Sequence, residues 1–139
     1  MIKTLYRLTL PNNKVYYAHK KKDIVEYANK QNQKWCLKTE TLNYLIYKYK
    51  GVKKTKYGFK IERLYVDKFY EKYISNYLNF VRYKMKYRNY SDEYLSKLTY
   101  IYLSSISNIV LDGYNDGKPQ HEIDELVRTH YPIGNHLKK

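Results

Sequence analysis

Positions 5–10 alternate between apolar Tyr6, Leu8 and Leu10 and polar Arg7 and Thr9, the period of a strand with one buried face. Pro11, Asn12, Asn13 and Lys14 then supply turn chemistry ahead of Val15, Tyr16, Tyr17 and Ala18, so residues 4–18 read as a β-hairpin. Within residues 23–30, Ile24, Tyr27 and Ala28 fall at i, i+3 and i+4, which predicts a short helix with Lys20, Lys21 and Lys22 just ahead of it. Residues 31–37 form a connector. Thr39 is placed to cap a second helix whose apolar stripe is Leu42, Leu45, Ile46 and Tyr49, with Gly51 as the left-handed residue that ends it. A loop over residues 50–56 and a strand over 57–65 close the pattern.

From Asp67 the period becomes 3.6, and Tyr70, Ile74, Tyr77, Leu78, Val81 and Met85 form one long stripe reaching about Arg88. Ser91 caps a fourth predicted helix carrying Leu95, Leu98, Tyr102, Ile106 and Ile109, which Gly113 is expected to stop. Gly117 punctuates the next turn, and Pro119 at a first helical position starts a fifth helix with Ile123, Leu126 and Val127 inward. The fold class expected is α+β. A β-hairpin, a helix-turn-helix-like pair and a closing strand make a basic module over residues 1–66, and residues 67–139 make a three-helix part for dimerisation or partner contact.

Composition sharpens this picture. The chain has 139 residues, enough for one core of ordinary size or two small parts, and 43% of them are apolar, enough to bury that core. With 20 Tyr against 3 Phe, many rings must keep a hydroxyl at water or at a partner, which suits interfaces as well as cores. The single cysteine, Cys36, excludes an internal disulfide; a small buried hydrophobe is its expected role. No Cys and His spacing suggests zinc, and neither a metal nor a cofactor is expected. The start lacks the apolar run of a signal peptide and no stretch approaches the ~20 apolar residues of a membrane span, so no membrane partner and a cytoplasmic location are expected, in the host cell if the protein is viral.

The charge is graded. Residues 1–64 carry 16 Lys+Arg against 4 Asp+Glu, net +12, whereas residues 91–139 carry 5 against 7, net −2, within a total of +14. That gradient points the first half at a polyanion and gives the tail a different task. On the second helix the face opposite Leu42 and Leu45 presents Glu40, Asn43, Tyr44, Tyr47 and Lys48. In a major groove Asn43 would read an adenine edge, Tyr44 and Tyr47 would lie beside it, and Lys48, Lys50, Lys53, Lys54 and Lys56 would hold phosphates, with Lys20, Lys21 and Lys22 adding to the basic surface. On the third helix Arg82, Lys84, Lys86 and Arg88 interleave with Tyr83, Tyr87 and Tyr90, a mixture suited to single strands or structured RNA, and equally to a dimer seam.

Lys14 to Tyr17 leading into residues 23–28, then residues 39–45, and finally Tyr57-Gly58-Phe59-Lys60-Ile61-Glu62-Arg63, together resemble short helix-turn-helix modules of phages and mobile elements, similar to modules appended to homing endonucleases. The resemblance covers about residues 5–64 and implies DNA binding through the second helix and a viral or mobile-element origin. The opening also resembles the start of a GIY-YIG nuclease, with Leu5-Tyr6 and Asn12 to Tyr17 in the places of its two strands. Thr4 and Ala18 replace that family's glycines, however, and Glu26 or Tyr27 stands near the place of its catalytic arginine. Without that cation nothing stabilises developing phosphate charge, so no enzyme is expected. His121-Glu122 lacks the second histidine of a zinc-protease helix, and His130 and His136 have no partner at a recognised spacing.

The function expected is therefore a small phage-type DNA-binding protein, a transcriptional regulator, with duplex DNA as the favoured partner and RNA as the second, acting as a homodimer if the helical part self-associates. The competing class is a phage inhibitor of a host defence nucleoprotein, anti-CRISPR-like, which would hold a CRISPR effector, its guide RNA or its target DNA through the same basic face.

Overall fold

The computed structural model describes residues 4–84 and 91–130, with side chains throughout those ranges except at positions 82–84. Among the described residues the chain is α+β, with a three-stranded antiparallel sheet and six helices, and it divides into two compact units, Lys3–Val66 and the part beginning at Asp67.

In the first unit, strands β1 (Leu5–Thr9) and β2 (Val15–Ala18) form the hairpin. Its turn is held by Leu10 N–H donating to Lys14 O at 2.8 Å and by Lys14 N–H donating to Asn12 Oδ1 at 3.0 Å. Asn13 takes φ 70°, a conformation asparagine tolerates better than most residues. Helices α1 (Lys21–Gln31) and α2 (Thr39–Tyr49) follow, and β3 (Lys60–Leu64) returns to pair with β1, giving the strand order β2-β1-β3. Leu8 lies opposite Tyr16 on one side and Ile61 on the other, and this face receives Ile24 and Ala28 of α1 and Leu42 and Leu45 of α2. Each large aliphatic side chain fully buried there contributes roughly 1.5–3 kcal/mol.

Several boundaries differ from the sequence expectation. Helix α1 starts at Lys21, so Lys21 and Lys22 occupy its first turn and Lys20 is the N-cap, with no side-chain cap. Cations there oppose the helix dipole, and Asp23 in the same turn offsets them. Thr39 is the first residue of α2 rather than its cap; that place falls to Lys38, again without a side-chain bond. Lys50, not Gly51, is the left-handed C-cap of α2, and Gly51 continues the turn at φ 75°. The predicted strand over 57–65 is shortened to β3. Tyr57, Gly58 and Phe59 instead complete a turn in which Gly58 has φ 89° and Thr55 N–H donates to Phe59 O at 2.8 Å, so that Phe59 enters the core. Cys36, expected inside, is exposed in a left-handed conformation after a single 3-10 turn, Gln33–Trp35.

In the second unit the long helix expected from 67 onward is interrupted. A short helix α3 (Val66–Phe69) gives way at Tyr70 to α4 (Glu71–Lys84), and Tyr70, Tyr73, Tyr77 and Val81 are buried. Met85 lies outside the described residues, as do Tyr87 and Tyr90. Ser91 does cap α5 (Asp92–Asn115), accepting from Tyr94 N–H at 3.1 Å. Gly113 does not stop that helix. It is buried inside α5, where a Cβ would stand 2.6 Å from Ile123 Cγ1 of α6 (Gln120–His130), so its bare backbone allows the two helices to close. The stop is Gly117, at φ 74°, with Lys118 N–H donating to Gly113 O at 2.9 Å and Gly117 N–H to Tyr114 O at 3.1 Å. Pro119 immediately precedes α6, its carbonyl accepting from Glu122 and Ile123 N–H. Leu126 faces outward and is exposed, while Ile123 and Val127 are buried; Leu95, Leu98 and Ile109 are only half-buried.

Candidate nucleic-acid interface

Helix α2 has two faces of opposite character. Leu42 and Leu45 anchor it to the sheet, whereas Glu40, Asn43, Tyr44, Tyr47 and Lys48 recur at three and four along the exposed side. Tyr44 is 57% exposed and Tyr47 78% exposed, and Val52 in the following loop is 72% exposed, a group of apolar surfaces clustered beside lysines rather than scattered. Lys48 Nζ sits 5.6 Å from the Tyr44 ring centroid and 5.3 Å from that of Tyr49. A hydrogen bond with Tyr44 raises the Lys48 pKa above the ordinary lysine value, and the ammonium lies beside the two rings.

The loop carries that charge onward. Lys50, Lys53, Lys54 and Lys56 are all exposed, and Lys56 Nζ lies 5.2 Å from the Tyr57 ring, which itself stacks on Phe59. The structure thus gathers Asn43, Tyr44, Tyr47 and Lys48 on one helix face and adjoins four lysines to it. Lys20, Lys21 and Lys22 belong to a different element, the start of α1, where Lys21 Nζ lies 5.9 Å from the Tyr6 ring. Arg82 and Lys84 fall on the last turn of α4 in the other unit, and Lys86 and Arg88 lie outside the described residues.

Two contacts near this face involve residues that no periodic pattern marks. Asn29 on α1 bridges to Leu37, its Nδ2 donating to Leu37 O at 3.0 Å while Leu37 N–H donates to Oδ1 at 2.8 Å. This clamp fixes the seven-residue connector, 32–38, that leads into α2. The connector is longer than the three or four residues of a simple helix-turn-helix. Arg7 and Glu62 form a bidentate pair across β1 and β3, Nε to Oε1 at 2.8 Å and Nη2 to Oε2 at 2.9 Å. An Asn a few residues before a short connector was a readable signal for the first. For the second the signal was only a charged residue on the outward period of each strand.

The residues of the nuclease-like opening have other surroundings. Tyr6 is part of the core, Tyr16 stacks on Tyr27 with ring centroids 3.9 Å apart, the buried Tyr27 hydroxyl has no hydrogen-bond partner, and Glu26 is exposed. Among the described residues no group of three His, Cys, Asp or Glu side chains is placed to hold a metal ion, and no helix is long and apolar enough to cross a membrane. In the second unit Tyr73 donates to Asp124 at 2.8 Å, Gln120 Nε2 donates to Asp124 at 2.9 Å, and Lys72 pairs with the other Asp124 oxygen, joining α4 to α6. No family model, curated protein or solved structure matches this chain.

Proposed function

We propose that the chain is a small DNA-binding protein, a transcriptional regulator of the phage or mobile-element kind, which lays α2 in the major groove of duplex DNA. The observation that carries this reading is the exposed face of α2, where Asn43, Tyr44, Tyr47 and Lys48 are left out of the core and run directly into the lysine-bearing loop. Asn43 has the donor and acceptor pair that matches the N6 and N7 edge of adenine. The tyrosine rings offer apolar surface to thymine methyl groups and hydroxyls to neighbouring phosphates. The lysines supply affinity by releasing counterions, a contribution that carries no sequence information and weakens with salt. In this reading the helices beyond Asp67 serve dimerisation or contact with a second protein.

The inhibitor of a host nucleoprotein is the second reading, and it is favoured by one feature: exposed Tyr44, Tyr47 and Val52 beside lysines make the kind of anchor that protein interfaces use. Binding of the purified protein to random duplex DNA, single-stranded DNA and structured RNA across a salt series separates the two. A regulator binds duplex with a steep salt dependence and loses on the order of a thousandfold when Lys48, Lys53 and Lys54 are changed together to Glu. Asn43→Ala then relaxes sequence preference by about 1–3 kcal/mol at one base pair. Absence of binding to any free nucleic acid at low salt rules the regulator out and directs attention to a protein complex.

A further inference from the structure

Glu62 has a second neighbour besides Arg7. A Cβ built on Gly51 would overlap Glu62 Cγ and stand 2.8 Å from Cδ, so the aliphatic part of Glu62 lies directly against the bare backbone at the start of the loop. The loop is tied at its far end as well. Thr55 is buried, its N–H donates to Phe59 O, its carbonyl accepts from Gly58 N–H at 2.9 Å, and its hydroxyl accepts from Tyr57 N–H at 3.3 Å. Val52 N–H returns to Tyr49 O at 2.9 Å. Between these ties Val52, Lys53 and Lys54 project into solvent, a fixed knuckle rather than a loose charged tail.

The charge of Glu62 is awkward in this place. An unpaired carboxylate at the root of a loop bearing Lys50, Lys53, Lys54 and Lys56 would repel a polyanion that the lysines attract, within a Debye length of about 10 Å at 0.1 M salt. Arg7 occupies both carboxylate oxygens through a planar two-bond contact, which cancels the charge and holds the side chain against Gly51. We propose that Arg7 and Glu62 are positioning residues for phosphate binding. Glu62 is the seat that sets the knuckle, and Arg7 locks that seat and silences its charge. The proposal rests on the DNA-binding reading of α2 and its loop.

Three variants, Arg7→Gln, Glu62→Gln and Gly51→Ala, and the double variant R7Q/E62Q test it, with duplex binding over a salt series and the unfolding midpoint measured on each full-length protein. Arg7→Gln exposes the carboxylate and should weaken binding about tenfold at 0.1 M salt, lowering the salt slope by about one. Glu62→Gln keeps the shape of the seat without its charge, so it should bind at least as tightly as wild type although its midpoint falls. The double variant should recover wild-type affinity without recovering the midpoint. Gly51→Ala displaces the knuckle, and its salt slope should fall by about two to three as lysine contacts are lost. Affinities that simply follow the midpoints, or that do not change, overturn the positioning role while leaving DNA binding by wild type intact. Failure of wild type itself to bind duplex overturns both.

Discussion

Replacing Asn29 by alanine removes both hydrogen bonds that fasten Leu37 to α1, and with them the tie that sets where α2 begins. Leu37 is only 5% exposed, so water cannot fully replace either bond, and each orphaned backbone group costs about 1–3 kcal/mol. Alanine's better helix propensity returns roughly 0.5 kcal/mol in α1. The net loss expected is about 1.5–5.5 kcal/mol, which at roughly 4–8 °C per kcal/mol in a domain of this size corresponds to a fall of about 6 °C or more in the unfolding midpoint. The chain's one tryptophan, Trp35, sits in the same connector, 5.1 Å from the Phe59 ring, so its fluorescence, excited at the red edge where the many tyrosines do not absorb, reports on the first unit. That selectivity matters because two units need not unfold together. Aspartate at position 29 keeps the acceptor for Leu37 N–H but turns an oxygen toward Leu37 O, so it should recover no more than half of the loss. Lys30→Ala, one position along on the exposed side, is the control. A midpoint for Asn29→Ala within 3 °C of that control would refute the clamp.

Gly113→Ala should destabilise the second unit by about 1–3 kcal/mol in urea unfolding followed by circular dichroism, because the new methyl meets Ile123; a gain in stability, as helix propensity alone requires, would contradict the close approach of α5 and α6. At Asp124 burial by itself would raise the pKa, but hydrogen bonds from Lys72, Gln120 and Tyr73 and the charge of Lys72 outweigh it and hold the carboxyl below its ordinary value. A depressed folded pKa stabilises above the unfolded value near 4 and is lost as pH falls through the folded one, so acid unfolding of the second unit below about pH 4 should be shallower in Asp124→Asn than in wild type.

How far the sequence could be read depended on whether the deciding interaction was periodic or singular. Tyr6, Leu8 and Leu10 and the α2 stripe of Leu42 and Leu45 repeat at 2 and at 3.6, and the elements they imply are present. The break at Tyr70 is not legible because Tyr70, Ile74, Tyr77 and Val81 keep helical spacing across it, although in the structure Tyr73 is buried and Ile74 only half-buried. Gly113 is ambiguous in the sequence because glycine serves both to end a helix and to let another approach, and only the partner, Ile123, ten residues on, distinguishes the two uses. The apolar spacing of Ile24, Tyr27 and Ala28 marks only the buried face of α1, so it does not show that Lys21 and Lys22, which carry no apolar signal, already belong to the first turn.

The candidate interface follows a different logic. Asn43, Tyr44, Tyr47 and Lys48 were legible as the complement of a core stripe, since whatever a helix does not bury it presents. The Arg7–Glu62 pair proposed to support that face is not legible, because the two residues are fifty-five apart and meet only through the register of β1 with β3. Folding needs Leu42 and Leu45 inside, and nothing in that need requires two tyrosines outside them or a glycine set against a neutralised glutamate. Exposed apolar rings clustered beside charge are the surface a binding partner would use, which is what the proposed function assigns to them. On the DNA-binding proposal the loop after α2 bears most directly on function: its exposed lysines would provide the attraction, and Arg7, Glu62 and Gly51 beneath them would set where it is aimed.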